Sequence, residues 1–515
     1  MGVPAAQAQE EAVMHIRPRP RWPALAAAVP VLLAAAIAAP AVAQDLEPPL
    51  SVSWVFSMAP DPQDTLAPVI AGDRVFITHG GVLRALDIRT GAEQWKYEVS
   101  EEAAVSTAPV LSGDLVIVGT DSGQVVALKA ADGTKAWEKT YSGSICPTPM
   151  IMDDALIAAA GKNVYGLDVR SGSARWVCAV ASAVAAGPVT DGSMLYFLGQ
   201  DGSVESVDPR EGRFRWRANL PVPAHAFGPI AAEQRVIVAG GRNVVAVARS
   251  GSVAWTAEMP AGVGGPPTVV EDTLYVPCLD GRIYTLYARS GAPRREVQVS
   301  VAGAVTAPPL VTPDLVFAGT STSLVYALDR KSGAVRWVYR CRAPEQGPGD
   351  PPWFGIYAPL VGAEGSLFCL TGTGDLYCLS PSAPDTVPPQ FADLKPEPGD
   401  ALPGGESVAV SFAVVDDGSG VDPASVSATV NGTAVTVEWD VASGVGKFVL
   451  SKPADGSHII RVTASDYRGN SGSVAWSFVT DKAIKPAEEG QTTTRSTTTG
   501  IRRSTTTGIR GRTTR

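Results

Sequence analysis

The phrases "ALDIRTGAEQW" (Ala85–Trp95) and "ALDRKSGAVRW" (Ala327–Trp337) share one plan: an apolar run, an Asp-led turn ending in Gly, and a Trp four residues after that Gly. The same spacing returns at Gly133/Trp137, Gly172/Trp176, Gly212/Trp216 and Gly251/Trp255, whereas Gly291 is followed by Arg295. Each unit opens with a small residue before Pro: Ala67-Pro68, Ala108-Pro109, Thr148-Pro149, Gly187-Pro188, Gly228-Pro229, Gly265-Pro266, Ala307-Pro308 and Ala358-Pro359. A period near 40 residues is the mark of stacked supersecondary units.

Within a unit, runs such as "DLVIVGT" and "GQVVALKAADG" alternate in period two, which predicts short antiparallel strands, four to a unit. A sheet that small cannot bury both faces alone, and radial stacking of such sheets is the propeller solution. A Trp at one fixed place per sheet fills the wedge between neighbours and needs one partner for its ring N–H. Trp95, Trp137, Trp176, Trp216, Trp255 and Trp337 are therefore structural. The eighth unit has no closing Gly-x-x-x-Trp before the chain turns Pro-rich, but "LSVSWVF" (Leu50–Phe56) carries Trp54, 41 residues before Trp95. The expected fold is all-β: an eight-bladed β-propeller over residues 44–381, its last blade completed by the N-terminal strand so that no edge is left open.

The quoted phrases resemble the pyrroloquinoline-quinone-type (quinoprotein-like) propeller repeat family. That family includes quinoprotein alcohol dehydrogenases and a periplasmic propeller protein of the outer-membrane β-barrel assembly machine. The resemblance covers about two thirds of the chain and implies the fold; the same repeats serve catalysis, scaffolding and binding.

The ends read differently. Arg17, Arg19 and Arg21, the Ala/Leu/Val run over 23–39 and Ala41-Val42-Ala43 form an expected signal peptide, residues 1–43, with cleavage near Ala43. Met14 is an alternative start. No Cys follows the apolar run, so no lipid attachment is expected, and no transmembrane span is expected in the mature chain. Residues 382–390 are a Pro-rich linker. Residues 391–482 hold about seven alternating runs with an Asn431-Gly432 turn, which suits an immunoglobulin-like β-sandwich. "DDGSGVDPASVSATVNG" and "DGSHIIRVTASDYRGNSG" resemble bacterial Ig-like and cadherin-like modules, in some of which acidic loops hold calcium. Asp416, Asp417, Asp422 and Asp466 offer hard oxygen ligands, with Asp417 and Asp466 the calcium candidates. The tail, 483–515, repeats "RSTTTGIR" and is expected to be disordered.

A formal charge of −9, with six Arg confined to the tail, excludes nucleic acid as the natural partner of the body. Among the six Cys, Cys369 and Cys378 flank a Gly-rich turn and are the expected cross-strand disulfide; the other four are expected to be buried thiols. His79, His225 and His458 show no metal-ligand spacing and read as turn or surface residues. The resembled dehydrogenases use an adjacent Cys pair against their quinone and long insertions around it. This chain has neither, so pyrroloquinoline quinone is not expected as a cofactor, and no catalytic residue is assigned. One connection is long: Pro308 and Pro359 are 51 residues apart, and "CRAPEQGPGDPPWFGIYAP" presents Trp353, Phe354 and Tyr357, either as a recognition loop or as a plug over the axial channel. The expected function is that of a secreted, periplasmic or cell-surface binding and scaffold protein whose propeller is an interaction platform for an envelope protein or polysaccharide. A quinone-dependent oxidoreductase and an outer-membrane protein assembly scaffold are the alternatives.

Overall fold

The computed structural model describes residues 46–59, 66–99, 103–223, 226–232, 234–294, 299–341 and 355–484. The expected signal peptide, residues 1–43, His225, Trp353, Phe354 and residues 485–515 of the tail lie outside the described residues. Two units are present. The first comprises Met1–Val387 with Asp416–Val421 and Asp466–Arg468; the second holds the remainder from Pro388 onward.

Among the described residues, the first unit contains eight four-stranded antiparallel sheets. Sheet 1 covers residues 69–98, sheet 2 110–140, sheet 3 150–179, sheet 4 184–219, sheet 5 227–258, sheet 6 268–300 and sheet 7 310–340. Sheet 8 takes three strands from 361–380 and its fourth, Ser51–Ser57, from the other end of the chain. That strand runs antiparallel to Asp375–Ser380, with Ser51 opposite Ser380, Trp54 opposite Cys378 and Ser57 opposite Asp375. The middle strands of the sheets are mostly buried because both faces are covered by neighbours. Phe76, Leu83 and Ala85 of sheet 1, for example, pack with Val116, Val118 and Val126 of sheet 2, and Trp54 and Phe368 of sheet 8 pack with Val75 and Ile77 of sheet 1. This is the β-propeller arrangement.

The repeated phrase now has a physical explanation. Each Trp indole donates to a carbonyl in the turn of the following sheet: Trp54 to Ile88 at 3.0 Å, Trp95 to Ala130 at 3.1 Å, Trp137 to Val169 at 3.1 Å, Trp176 to Pro209 at 2.9 Å, Trp216 to Arg249 at 2.7 Å and Trp255 to Ala288 at 3.2 Å. The ring lies flat on the Gly of that same turn. A Cβ at Gly212, whose φ is +64°, would stand 2.4 Å from the Trp176 ring. Where an Asp opens the turn it caps its amides: Asp329 Oδ1 accepts from Ser332 N at 2.7 Å, and Arg336 pairs with its other oxygen at 2.8 Å. Arg336 holds the Asp329 carboxyl far below the usual range. Gly212→Ala is expected to destabilise the fold by roughly 2–4 kcal/mol, because it adds both a left-handed backbone strain and an overpacked contact. A thermal melt checks this, and an unchanged midpoint would contradict the packing role.

The expected Cys369–Cys378 pairing and the turn or surface placement of His79 and His458 are corrected by the structure. Cys369 lies opposite Tyr377, and Cys378 opposite Phe368. The register is one residue away from a direct Cys pair, so the two side chains leave opposite faces of the sheet and are not bonded to each other. His79 and His458 are buried, not exposed turn residues. His79 ends the strand Arg74–His79 with Nε2 2.8 Å from Ala59 O, and His458 Nε2 lies 2.8 Å from Thr480 Oγ1. Tyr357 is half-buried.

The second unit has a four-stranded sheet and a five-stranded sheet. The long pair Gly456–Ser465 and Ser471–Asp481 alternates buried and exposed residues, with Ile460, Val462, Trp476 and Phe478 inward. Among the described residues the one helical element is the 3-10 turn Pro423–Ser425, and no helix is long and apolar enough to cross a membrane.

Candidate functional site

The most chemically concentrated place in the first unit is built from three Asp side chains. Asp416 opens the segment "DDGSG" (Asp416–Gly420) and folds it into a tight loop, its Oδ1 accepting the amides of Gly418 at 3.1 Å and Gly420 at 2.7 Å. Asp385 comes from the Pro-rich stretch and accepts the Ser419 amide at 2.8 Å. Gly418 is required there: a Cβ would stand 2.4 Å from the Asp385 carboxylate. Asp466 accepts the Arg468 amide at 2.8 Å, and its strand-like pairing with Val421 ties the two segments together. Arg468 in turn donates to Ser51 Oγ at 3.1 Å and to the carbonyls of Pro381 and Ala383.

One carboxylate oxygen from each of Asp385, Asp416 and Asp466 lies within 4.8 Å of the others, and two of the three residues are buried. Calcium holds oxygen ligands at roughly 2.3–2.6 Å, so two ligands across the ion stand about 5 Å apart. The donor set and its span suit such a hard cation. Sequence reading named Asp466 but paired it with Asp417. Asp417 is not part of the group, and its backbone carbonyl instead accepts from the Tyr339 hydroxyl at 3.2 Å. Asp385 was missed, because nothing in a Pro-rich linker marks one Asp as inward-facing.

Burial, with Asp385 and Asp466 close by, pushes the Asp416 carboxyl from 3.8 up to about 6. A folded value above the unfolded one means that this group's stabilising contribution is complete below the unfolded value of 3.8 and is lost as pH rises through about 6. The loss is on the order of 3 kcal/mol at most. In chelator-containing buffer, the full chain is expected to show a falling melting temperature between these two pH values. Asp416→Asn, which keeps an oxygen for Gly418 and Gly420, is expected to flatten that slope and to stabilise the protein at neutral pH. An Asn variant that is less stable than the parent at neutral pH, with the slope intact, would contradict it.

The seventh Trp uses the same segment. Trp337 Nε1 donates to Ser419 O at 2.9 Å, where Trp54, Trp95, Trp137, Trp176, Trp216 and Trp255 reach the Gly-containing turn of the following sheet. Sheet 8 has no such turn after Ser380, and Asp416–Val421 stands in its place. Val52 of the closing strand also donates to Gly418 O at 3.1 Å.

A family model described as Outer membrane protein assembly factor BamB matches residues 51–200 and 200–379. The chain belongs to this family. The matched span runs from the closing strand to the last strand of sheet 8, so family membership and the ring coincide. Outer membrane protein assembly factor BamB of Yersinia pestis is 26% identical over 253 residues, covering 44% of this chain and 54% of that protein. The chain thus spans about half the length of the curated relatives it matches. Among solved structures, BamB from Moraxella catarrhalis superposes with a TM-score of 0.50 at 16% identity, over 64% of this chain and 99% of that one. The quinohemoprotein alcohol dehydrogenase of Comamonas testosteroni gives 0.51 at 13% identity, over 71% and 80%. Both likenesses establish the fold alone.

Proposed function

We propose that this chain is a non-catalytic binding and scaffold protein of the bacterial envelope, and that its ring serves the assembly of outer-membrane proteins. The observation that carries the reading is the family match, which spans the ring from its closing strand to sheet 8 and bears the name of an assembly factor. The architecture supports it: sheets joined mostly by short turns form a rigid platform, and such platforms suit macromolecular partners better than a roofed small-molecule site. The partner class is protein, met after export. The unit from Pro388 onward is a spacer or accessory module in this reading.

A quinone dehydrogenase needs a wall for the cofactor to stack on, a cation to polarise its carbonyl and a base at the substrate hydroxyl. The sequence has no adjacent Cys pair to form that wall in the manner of the resembled dehydrogenases. The purified full chain, given calcium and pyrroloquinoline quinone, is therefore expected to reduce no redox dye with alcohols or aldose sugars. Calcium-dependent turnover would replace this reading with that of an oxidoreductase.

A further inference from the structure

Two of the six thiols face one another across the boundary between sheets 7 and 8. Trp337, Tyr339 and Cys341 alternate along the outer strand Val335–Arg340 and its continuation, and all three turn inward. The Tyr339 ring meets the Tyr377 ring edge-on, 6.1 Å between centroids. Cys369 is the direct cross-strand neighbour of Tyr377, and Cys341 lies two residues beyond Tyr339 on the same face. Both Cys are fully buried in one apolar cluster with Phe317, Leu367 and Leu379. Their side chains are within hydrogen-bonding reach of each other. Cys378 lies on the other face of sheet 8, in the cluster around Trp54 and Phe368.

We propose that Cys341 and Cys369 are the disulfide-forming pair of this chain, a covalent clasp between sheets 7 and 8. The neighbouring Cys369 side chain and burial both hold the Cys341 thiol protonated in the folded protein, and only the thiolate attacks a disulfide. The clasp therefore closes during folding, before sheet 8 is complete. The oxidant is a small-molecule disulfide of the glutathione class. One Cys thiolate attacks it, forming a mixed disulfide and expelling one small thiolate. The second Cys thiolate then attacks the protein-bound sulfur and expels the other. Two electrons pass to the oxidant, the two Cys protons end on the two released small thiols, and one Cys341–Cys369 bond is made. The closed loop, residues 342–368, is 27 residues long.

The test refolds the full chain from denaturant in a mixture of oxidised and reduced glutathione, and separately in excess reductant. Free thiols are then alkylated under denaturing conditions and the peptides mapped by mass. The expected result is one cross-linked peptide pair containing Cys341 and Cys369, with Cys146, Cys178, Cys278 and Cys378 alkylated. The oxidised protein is expected to melt about 5 °C above the reduced one, the gain that a loop of this length gives in a domain of this size. Cys378→Ser should leave the cross-link in place, and Cys341→Ser should abolish it. Alkylation of all six thiols after oxidative refolding, or a bridge that includes Cys378, would overturn the proposal. If Cys341→Ser fails to refold, the peptide map of the unsubstituted chain decides alone.

Discussion

A chain lacking residues 44–58 is expected to melt more than about 10 °C below the full protein or to be recovered as aggregate, since the loss approaches the whole stability of an ordinary domain. The deletion removes the strand Ser51–Ser57 and leaves one edge of Asp375–Ser380 unpaired, while its other edge stays paired with Ser366–Leu370. It also strips out Leu46, Leu50 and Trp54, which are all buried. Burial of side chains this large stabilises by roughly 2–3 kcal/mol each, before any strand pairing is counted. The Gly91 turn of sheet 1 would lose the ring that covers it, and the indole bond to Ile88 O would go with it. An open strand edge is a template for aggregation, so light scattering on heating is the second readout. A deletion that melts with the full chain would mean that the ring does not depend on this strand.

The second large effect concerns Trp337. A chain ended at Val387 lacks Asp416–Val421, and with it the carbonyls that accept from Trp337 and Tyr339. Trp337 is fully buried in the full chain. The truncation is expected to cost the first unit on the order of 3–5 kcal/mol, from two hydrogen bonds and the re-exposure of two aromatic side chains. A double-mutant cycle isolates the cause. Trp337→Phe keeps most of the ring and loses the N–H, so it should cost about 1 kcal/mol in the full chain and close to nothing in the shortened one. Equal costs in both backgrounds would mean that the bond to Ser419 contributes nothing.

How much of this was legible depended on whether a residue's environment repeats. The Gly-x-x-x-Trp spacing could be read because the same indole-on-Gly contact is made again and again around the ring, and the phase of Trp54 within that spacing marked the strand beside Asp375–Ser380. The replacement of the missing eighth turn by "DDGSG" could not be read, because it is made once and by a segment far along the chain. The Cys pairing turned on a single residue of hairpin register, which composition cannot fix: Cys369 meets Tyr377 and so faces Cys341 in place of Cys378. Asp416 and Asp417 are adjacent and chemically identical in sequence, and only the fold turns one carboxylate toward Asp385 and Asp466. The histidines were misplaced for a similar reason, since neither His79 nor His458 sits in a repeated pattern that reports burial.

The central claim, that this ring serves outer-membrane protein assembly without catalysing a reaction, is tested most directly in the source organism. Removal of the gene, followed by quantitative mass spectrometry of the outer-membrane fraction, measures the steady-state level of β-barrel proteins. The account expects those levels to fall at least about twofold, as they should if a scaffold that lowers an assembly barrier by even a fraction of a kcal/mol is lost. Re-expression of the full chain should restore them, and re-expression of the chain lacking residues 44–58 should not. Unchanged β-barrel protein levels in cells shown to express the parent protein would contradict the claim.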